Sequence, residues 1–209
     1  KSKNPVIIIP NINFISAANI IHLLGGKIIL CDVNKKSGMI DEKTFEEIIR
    51  NCKIKKIKPD IFIPIHYAGN VLDLGKISKI CKNEKIKIIE DGCHSFGSSN
   101  KKIKVGDSKL SEFTTFSFHP VKNITTIEGG AITTNDQKYA DNIRKLANYG
   151  SSAKYIHHTL GINSRLDSLQ ARFLSSKLKL LSSDIEIRKN QADIYQKKLS
   201  PLPIKIVSN

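Results

Sequence analysis

Short β-branched runs alternate with helix-length amphipathic stretches almost from the first residue, and this alternation restricts the architecture more than any other feature of the chain. "VIIIP" (Val6 to Pro10) reads as a buried strand, "SAANIIHLLGG" as a helix closed by glycine, and "KIILCDV" as the next strand. "DEKTFEEIIRN" follows as an amphipathic helix that Asp41 is placed to cap. "DIFIPIHYAG" reads as a third strand running into a loop, "DLGKISKICKNEK" as a helix and "IKIIEDG" as a fourth strand ending at Asp91. Such alternation requires right-handed crossovers, hence an α/β fold with a central, mostly parallel sheet covered by helices on both faces. Ligands of such sheets collect at the carboxyl ends of the strands, where His66, Asp91 and His94 fall.

From Phe113 the pattern changes. "FTTFSFHP" and "GGAITTND" read as two strands flanking the loop that carries Lys122, antiparallel or at a sheet edge. A polar loop, "SSAKYIHHTLGINSR", then leads to two helices, "LDSLQARFLSSKLKLL" and "DIEIRKNQADIYQKKL", and a last strand begins in "PLPIKIVSN".

The net charge of +15 raises the possibility of a basic nucleic-acid-binding module. The basic residues are instead spread along the whole chain, without the interleaved aromatics of a nucleic-acid stripe, and aromatics make up only 6%. A solvated lysine-rich surface is the simpler reading, and one that attracts small anions. No apolar run approaches the roughly 18 residues of a membrane span. Cys31, Cys52, Cys81 and Cys93 show no C-x-x-C pairing, which suggests reduced thiols and a cytoplasmic location. Adjacent Cys93 and His94, even with His66, lack zinc-ligand spacing, so no metal site is expected.

Lys122 differs from the other lysines in its setting, after an apolar run and before a glycine pair. A nucleophilic lysine can form a Schiff base with an aldehyde cofactor where it is partly desolvated. With pyridoxal phosphate a carboxylate must also pair with the pyridine nitrogen, and Asp91 stands at a strand end. Ser117 offers a hydroxyl for a phosphate oxygen, and His94 could stack on or bond to the ring. The Gly129–Gly130 pair permits close backbone approach.

"IIEDGCHSFGS" followed by "FTTFSFHPVKNITTIEGGAITTND" resembles the DegT/StrS family of pyridoxal-phosphate nucleotide-sugar aminotransferases, nearest in look to those aminating UDP-linked 4-keto-deoxysugars. "PNINFISAANIIHLLGGKIILCDV", "PIHYAGNVLDL" and "LGINSRLDSLQARF" extend the resemblance over nearly the whole chain. It implies an aspartate-aminotransferase-like large domain, Lys122 as the internal-aldimine lysine and proton carrier, and Asp91 on the pyridinium nitrogen. It also implies His94 at the oxygen-bearing edge of the ring, Ser117 on the phosphate and Phe14 stacked on the ring face. Asn163 would reach the phosphate in the neighbouring subunit of a homodimer with shared active sites, although Ser164 stands where relatives usually carry an aromatic. His66 and His119 look like pocket-lining positions. L-glutamate would be the amino donor and a nucleotide sugar the acceptor. A sugar dehydratase or a non-catalytic homologue is the alternative within the superfamily; the former carries histidine where this chain has Lys122. By the same resemblance, residues 1–181 form the large domain without its N-terminal, phosphate-gripping Ser-Gly-Thr part, and residues 182–209 lead into a small C-terminal domain. The 209 residues alone are accordingly expected to be inactive.

Overall fold

A computed structural model describes residues 4–100 and 103–204. Six strands form one sheet: β1 (Val6–Pro10), β2 (Lys27–Cys31), β3 (Ile61–Phe62), β4 (Lys87–Asp91), β5 (Phe113–Ser117) and β6 (Gly130–Thr133), in the order β2-β1-β3-β4-β5-β6. All neighbouring pairs are parallel except β5 and β6, which run antiparallel with β6 at the edge, as the sequence pattern anticipates. The helices are α1 (Ile15–Leu23), α2 (Glu42–Ile54), α3 (Gly75–Glu84), α4 (Gln137–Leu146), α5 (Ser168–Leu178) and α6 (Leu181–Leu199).

The unbroken apolar run of β1 follows from its central position. Ile7 and Ile9 pack with Ile21 of α1 on one face, while Ile8 packs on the other in the larger cluster holding Phe45 and Ile49 of α2, Phe62 of β3 and Ile77 and Cys81 of α3. The Phe45 and Phe62 ring centroids are 4.5 Å apart. Asp41 begins α2 in a capping box: its carboxylate accepts from the Thr44 amide, and the Thr44 hydroxyl accepts from the Asp41 amide.

Two elements differ from the sequence reading. The third strand is only two residues long, because Pro64 has no N–H to give the ladder; pairing resumes once, at Ile65 opposite Asp91. The polar loop after Gly150 contains a small hairpin, β7 (Ser151–Ala153) and β8 (Ile156–His157), turned through Tyr155 at φ +64°. The strand expected over 201–209 falls mainly outside the described residues.

Candidate active site

The carboxyl ends of β4 and β5 lie side by side, with Asp91 paired in register with Thr115. Asp91 is held from three directions: its amide donates to the Pro64 carbonyl at 2.8 Å, its carbonyl accepts from the His66 amide at 3.0 Å, and its Oδ1 accepts from the Cys93 amide at 2.9 Å. The following turn needs Gly92, since a Cβ there would come within 2.8 Å of the Phe116 ring. Burial and the Asp91 carboxylate push the Cys93 thiol up to about 12, against the opposing charge of Lys122. His94 is turned by the same loop: its Nδ1 accepts from the Ala68 amide at 3.4 Å and its ring lies 5.8 Å from that of Tyr67. Burial, then the Lys122 charge, hold the His94 imidazole below the ordinary histidine value, while Asp91 opposes them.

Lys122 sits in the loop between β5 and β6, where its amide donates to the His119 carbonyl at 3.0 Å. It lines a cleft of about 620 Å³ together with His94, Tyr67, Asn123 and, from α6, Arg188 and Lys189. Among the described residues, no Asp or Glu lines this cleft. Asp91 and Lys122 each act electrostatically on His94 and on Cys93 between them, although Asp91 and Ser117 do not themselves line the cleft; Ser117 ends the adjacent strand, its hydroxyl accepting from the His119 amide at 3.3 Å. Phe14 lies outside the cleft lining and is 70% exposed at the start of α1. Asn163 is exposed as well, outside the lining, with its Oδ1 accepting from Arg165 at 3.0 Å.

The two pocket-lining histidines read from the sequence do not line it. His119 is an exposed turn residue. His66 is wholly buried: its Nδ1 accepts from the Leu72 amide at 3.0 Å, so Nε2 carries the proton and donates to Glu90 Oε2 at 2.7 Å. The other Glu90 oxygen accepts from the hydroxyls of Ser111 and Thr114, and Thr114 joins Ser108 at 3.1 Å. Because successive strand residues face opposite ways, this network lies on the face of β4 away from the Asp91 side chain. Asn123 is a second residue that the sequence did not single out. Its Nδ2 donates to the Phe96 carbonyl at 2.6 Å, tying the Lys122 loop to the His94 loop, and its Oδ1 is buried without a partner among the described residues. A larger cleft, of about 900 Å³, contains neither Lys122 nor Asp91 and is bordered by surface lysines, of which Lys87 pairs with Glu112 at 2.8 Å.

A model of the DegT/DnrJ/EryC1/StrS aminotransferase family matches residues 2–209. The chain belongs to this family. It is 33% identical over 199 residues to UDP-2-acetamido-2-deoxy-3-oxo-D-glucuronate aminotransferase of Pseudomonas aeruginosa, covering 95% of this chain and 53% of the relative. A DegT/DnrJ/EryC1/StrS aminotransferase from Brucella abortus superposes with a TM-score of 0.91 at 28% identity, covering 99% of this chain and 56% of the other. NtdA of Bacillus subtilis, solved with bound cofactor PMP, gives a TM-score of 0.83 at 29% identity, over 96% of this chain and 45% of the other. The chain thus spans about half the length of the relatives it matches.

The residues at the strand ends fit the pyridoxal-phosphate cofactor of this family. Asp91 and Lys122 both act on His94 at the ends of β4 and β5, and among the described residues the cleft has no lining acid to repel a phosphate and the Asn123 Oδ1 has no hydrogen-bond partner.

Proposed function

We propose that the protein containing this chain transfers an amino group from L-glutamate to a keto group of a nucleotide-linked deoxysugar, with pyridoxal phosphate as cofactor. The observation that carries the reading is that Asp91 and Lys122 both act on His94, beside a cleft that no acid lines among the described residues. When bound, the cofactor supplies an electron sink that stabilises negative charge on the substrate carbon. Lys122 would hold the cofactor, and its amine would move the proton at the reacting carbon, a role worth roughly 10²–10⁴-fold. Asp91 would pair with the ring nitrogen, His94 and Ser117 would hold the ring and the phosphate, and Phe14 would stack on the ring.

Asn163 serves the site of a second copy in a homodimer. The exposure of Leu160 (94%) and Leu169 (82%), on either side of Asn163 in sequence, supports a covered surface there. Residues 1–181 act as the cofactor-binding unit, and the segment from residue 182 links it to a second one. Four free cysteines suit a reducing compartment such as the cytoplasm. Borohydride reduction of the cofactor-loaded full-length protein, followed by peptide mass mapping, tests the reading: the phosphopyridoxyl group is expected on Lys122. A label on another lysine, or none, would overturn it.

A further inference from the structure

The geometry points to Arg188 and Lys189 of α6 as the subsite for the diphosphate of the nucleotide sugar. This inference rests on the proposed aminotransferase reading and adds to it a group that selects the substrate. Helix α6 has no buried residue, yet one stripe of it, Ile185, Arg188, Lys189 and Ala192 at helical spacings of three, four and seven, faces the Lys122 cleft. The stripe is held by close packing at one point. At Gly97, φ is +83°, and a Cβ there would come within 2.8 Å of Ile185 Cδ1 and 3.3 Å of Leu181 Cδ2. That approach fixes the helix against the loop carrying His94, so that the next turn presents its two cations to the cleft.

These cations lack strong internal partners. Arg188 makes no ion pair or hydrogen bond among the described residues, and Lys189 meets Glu186 only at 4.0 Å, with both side chains exposed. By contrast, Lys53, Lys76 and Lys87 sit 2.6–2.8 Å from a glutamate oxygen. Two neighbouring cations in the cleft that Lys122 also lines, with no lining carboxylate among the described residues, match two adjacent negative charges better than one. Arg188 offers a planar fork for paired phosphate oxygens, and Lys189 a point charge beside it.

The test uses the full-length protein loaded with pyridoxal phosphate and UDP as the probe. Arg188→Ala with Lys189→Ala is expected to raise the Kd for UDP about tenfold and flatten its salt dependence, a larger change than in the rate of the half-reaction with L-glutamate. Arg188→Lys should recover part of the affinity. An unchanged Kd for UDP overturns the inference, as does a loss confined to the glutamate half-reaction, which would assign the cations to the amino donor. Borohydride labelling of Lys122 in the same variants separates the two readings. Labelled Lys122 with unaltered UDP binding defeats only the diphosphate subsite; absent labelling defeats the aminotransferase reading itself.

Discussion

Replacing His66 by Ala tests the buried network beneath Asp91 most directly. The substitution removes three things at once: the acceptor for the Leu72 amide, the donor to Glu90 Oε2, and the volume of a ring with no solvent exposure. An unsatisfied buried amide costs about 1–3 kcal/mol, a buried carboxylate deprived of a donor costs a similar amount or more, and the cavity adds to both. Partial relaxation and entry of water offset some of this, so we expect a loss of about 3–5 kcal/mol. For a chain of this size that corresponds to a fall of about 6–20 °C in Tm. Equilibrium urea unfolding of the single variants and of the His66→Ala, Glu90→Ala pair measures it. The double variant should cost at least about 1 kcal/mol less than the sum, because removing Glu90 also removes the charge that His66 satisfies. A single-variant loss under about 1 kcal/mol, or additivity within about 0.5 kcal/mol, would refute a coupled buried pair.

Lys122→Met removes one cause of the low His94 value, so the imidazole should titrate higher by NMR; an unmoved titration would mean that Lys122 does not act on it. With its folded value below the unfolded one, His94 resists protonation in the fold, and stability should fall as pH drops below about 6.5. His94→Gln should flatten that fall in pH-dependent melts. Asp41→Ala should cost about 1 kcal/mol through the lost capping box. The Thr44 amide holds the Asp41 carboxyl below its ordinary value, so this contribution is present above about pH 3.9 and lost as pH falls through the folded value; the variant should lack that component. Cys93, with its thiol near 12, should alkylate far more slowly than a free thiol at pH 8, and rapid labelling would contradict its burial beside Asp91. Gly97→Val should dislodge α6 and speed proteolytic cutting within residues 181–199, whereas unchanged cutting would show that this contact does not seat the helix.

The parallel sheet was readable because β1 is apolar at four successive positions, Val6 to Ile9, and the intervening helices keep a helical period. The Lys122 loop was readable because β5 and β6 are both β-rich and glycines close the gap between them. What escaped the sequence depends on contacts between distant positions. His66 looks like a loop histidine until Glu90, 24 residues later, takes its proton donor, and Asn123 gains meaning only through the Phe96 carbonyl 27 residues away. Arg188 resembles any other exposed cation of a polar helix until Gly97 shows which way the helix faces. Phe14, Asn163, Asp91 and Ser117 all lie outside the cleft lining, and for Phe14 and Asn163 the roles were carried by resemblance rather than by any local signal.

The loop bearing Lys122 enters and leaves the sheet at one place. The Phe118 amide donates to the Gly129 carbonyl at 2.8 Å, the Thr126 amide returns to Phe118 at 3.0 Å, and Gln170 of α5 donates to the Thr126 and Glu128 carbonyls at 3.2 and 2.9 Å. Closing a loop at its base means that a change in its length does not propagate into strand order. Residues between the clamps other than Lys122 and Asn123 can therefore vary, and the pocket with them, while the frame that aims Asp91 stays as it is. A family that handles many sugars on one scaffold can tune this segment by substitution or insertion without refolding the sheet around it.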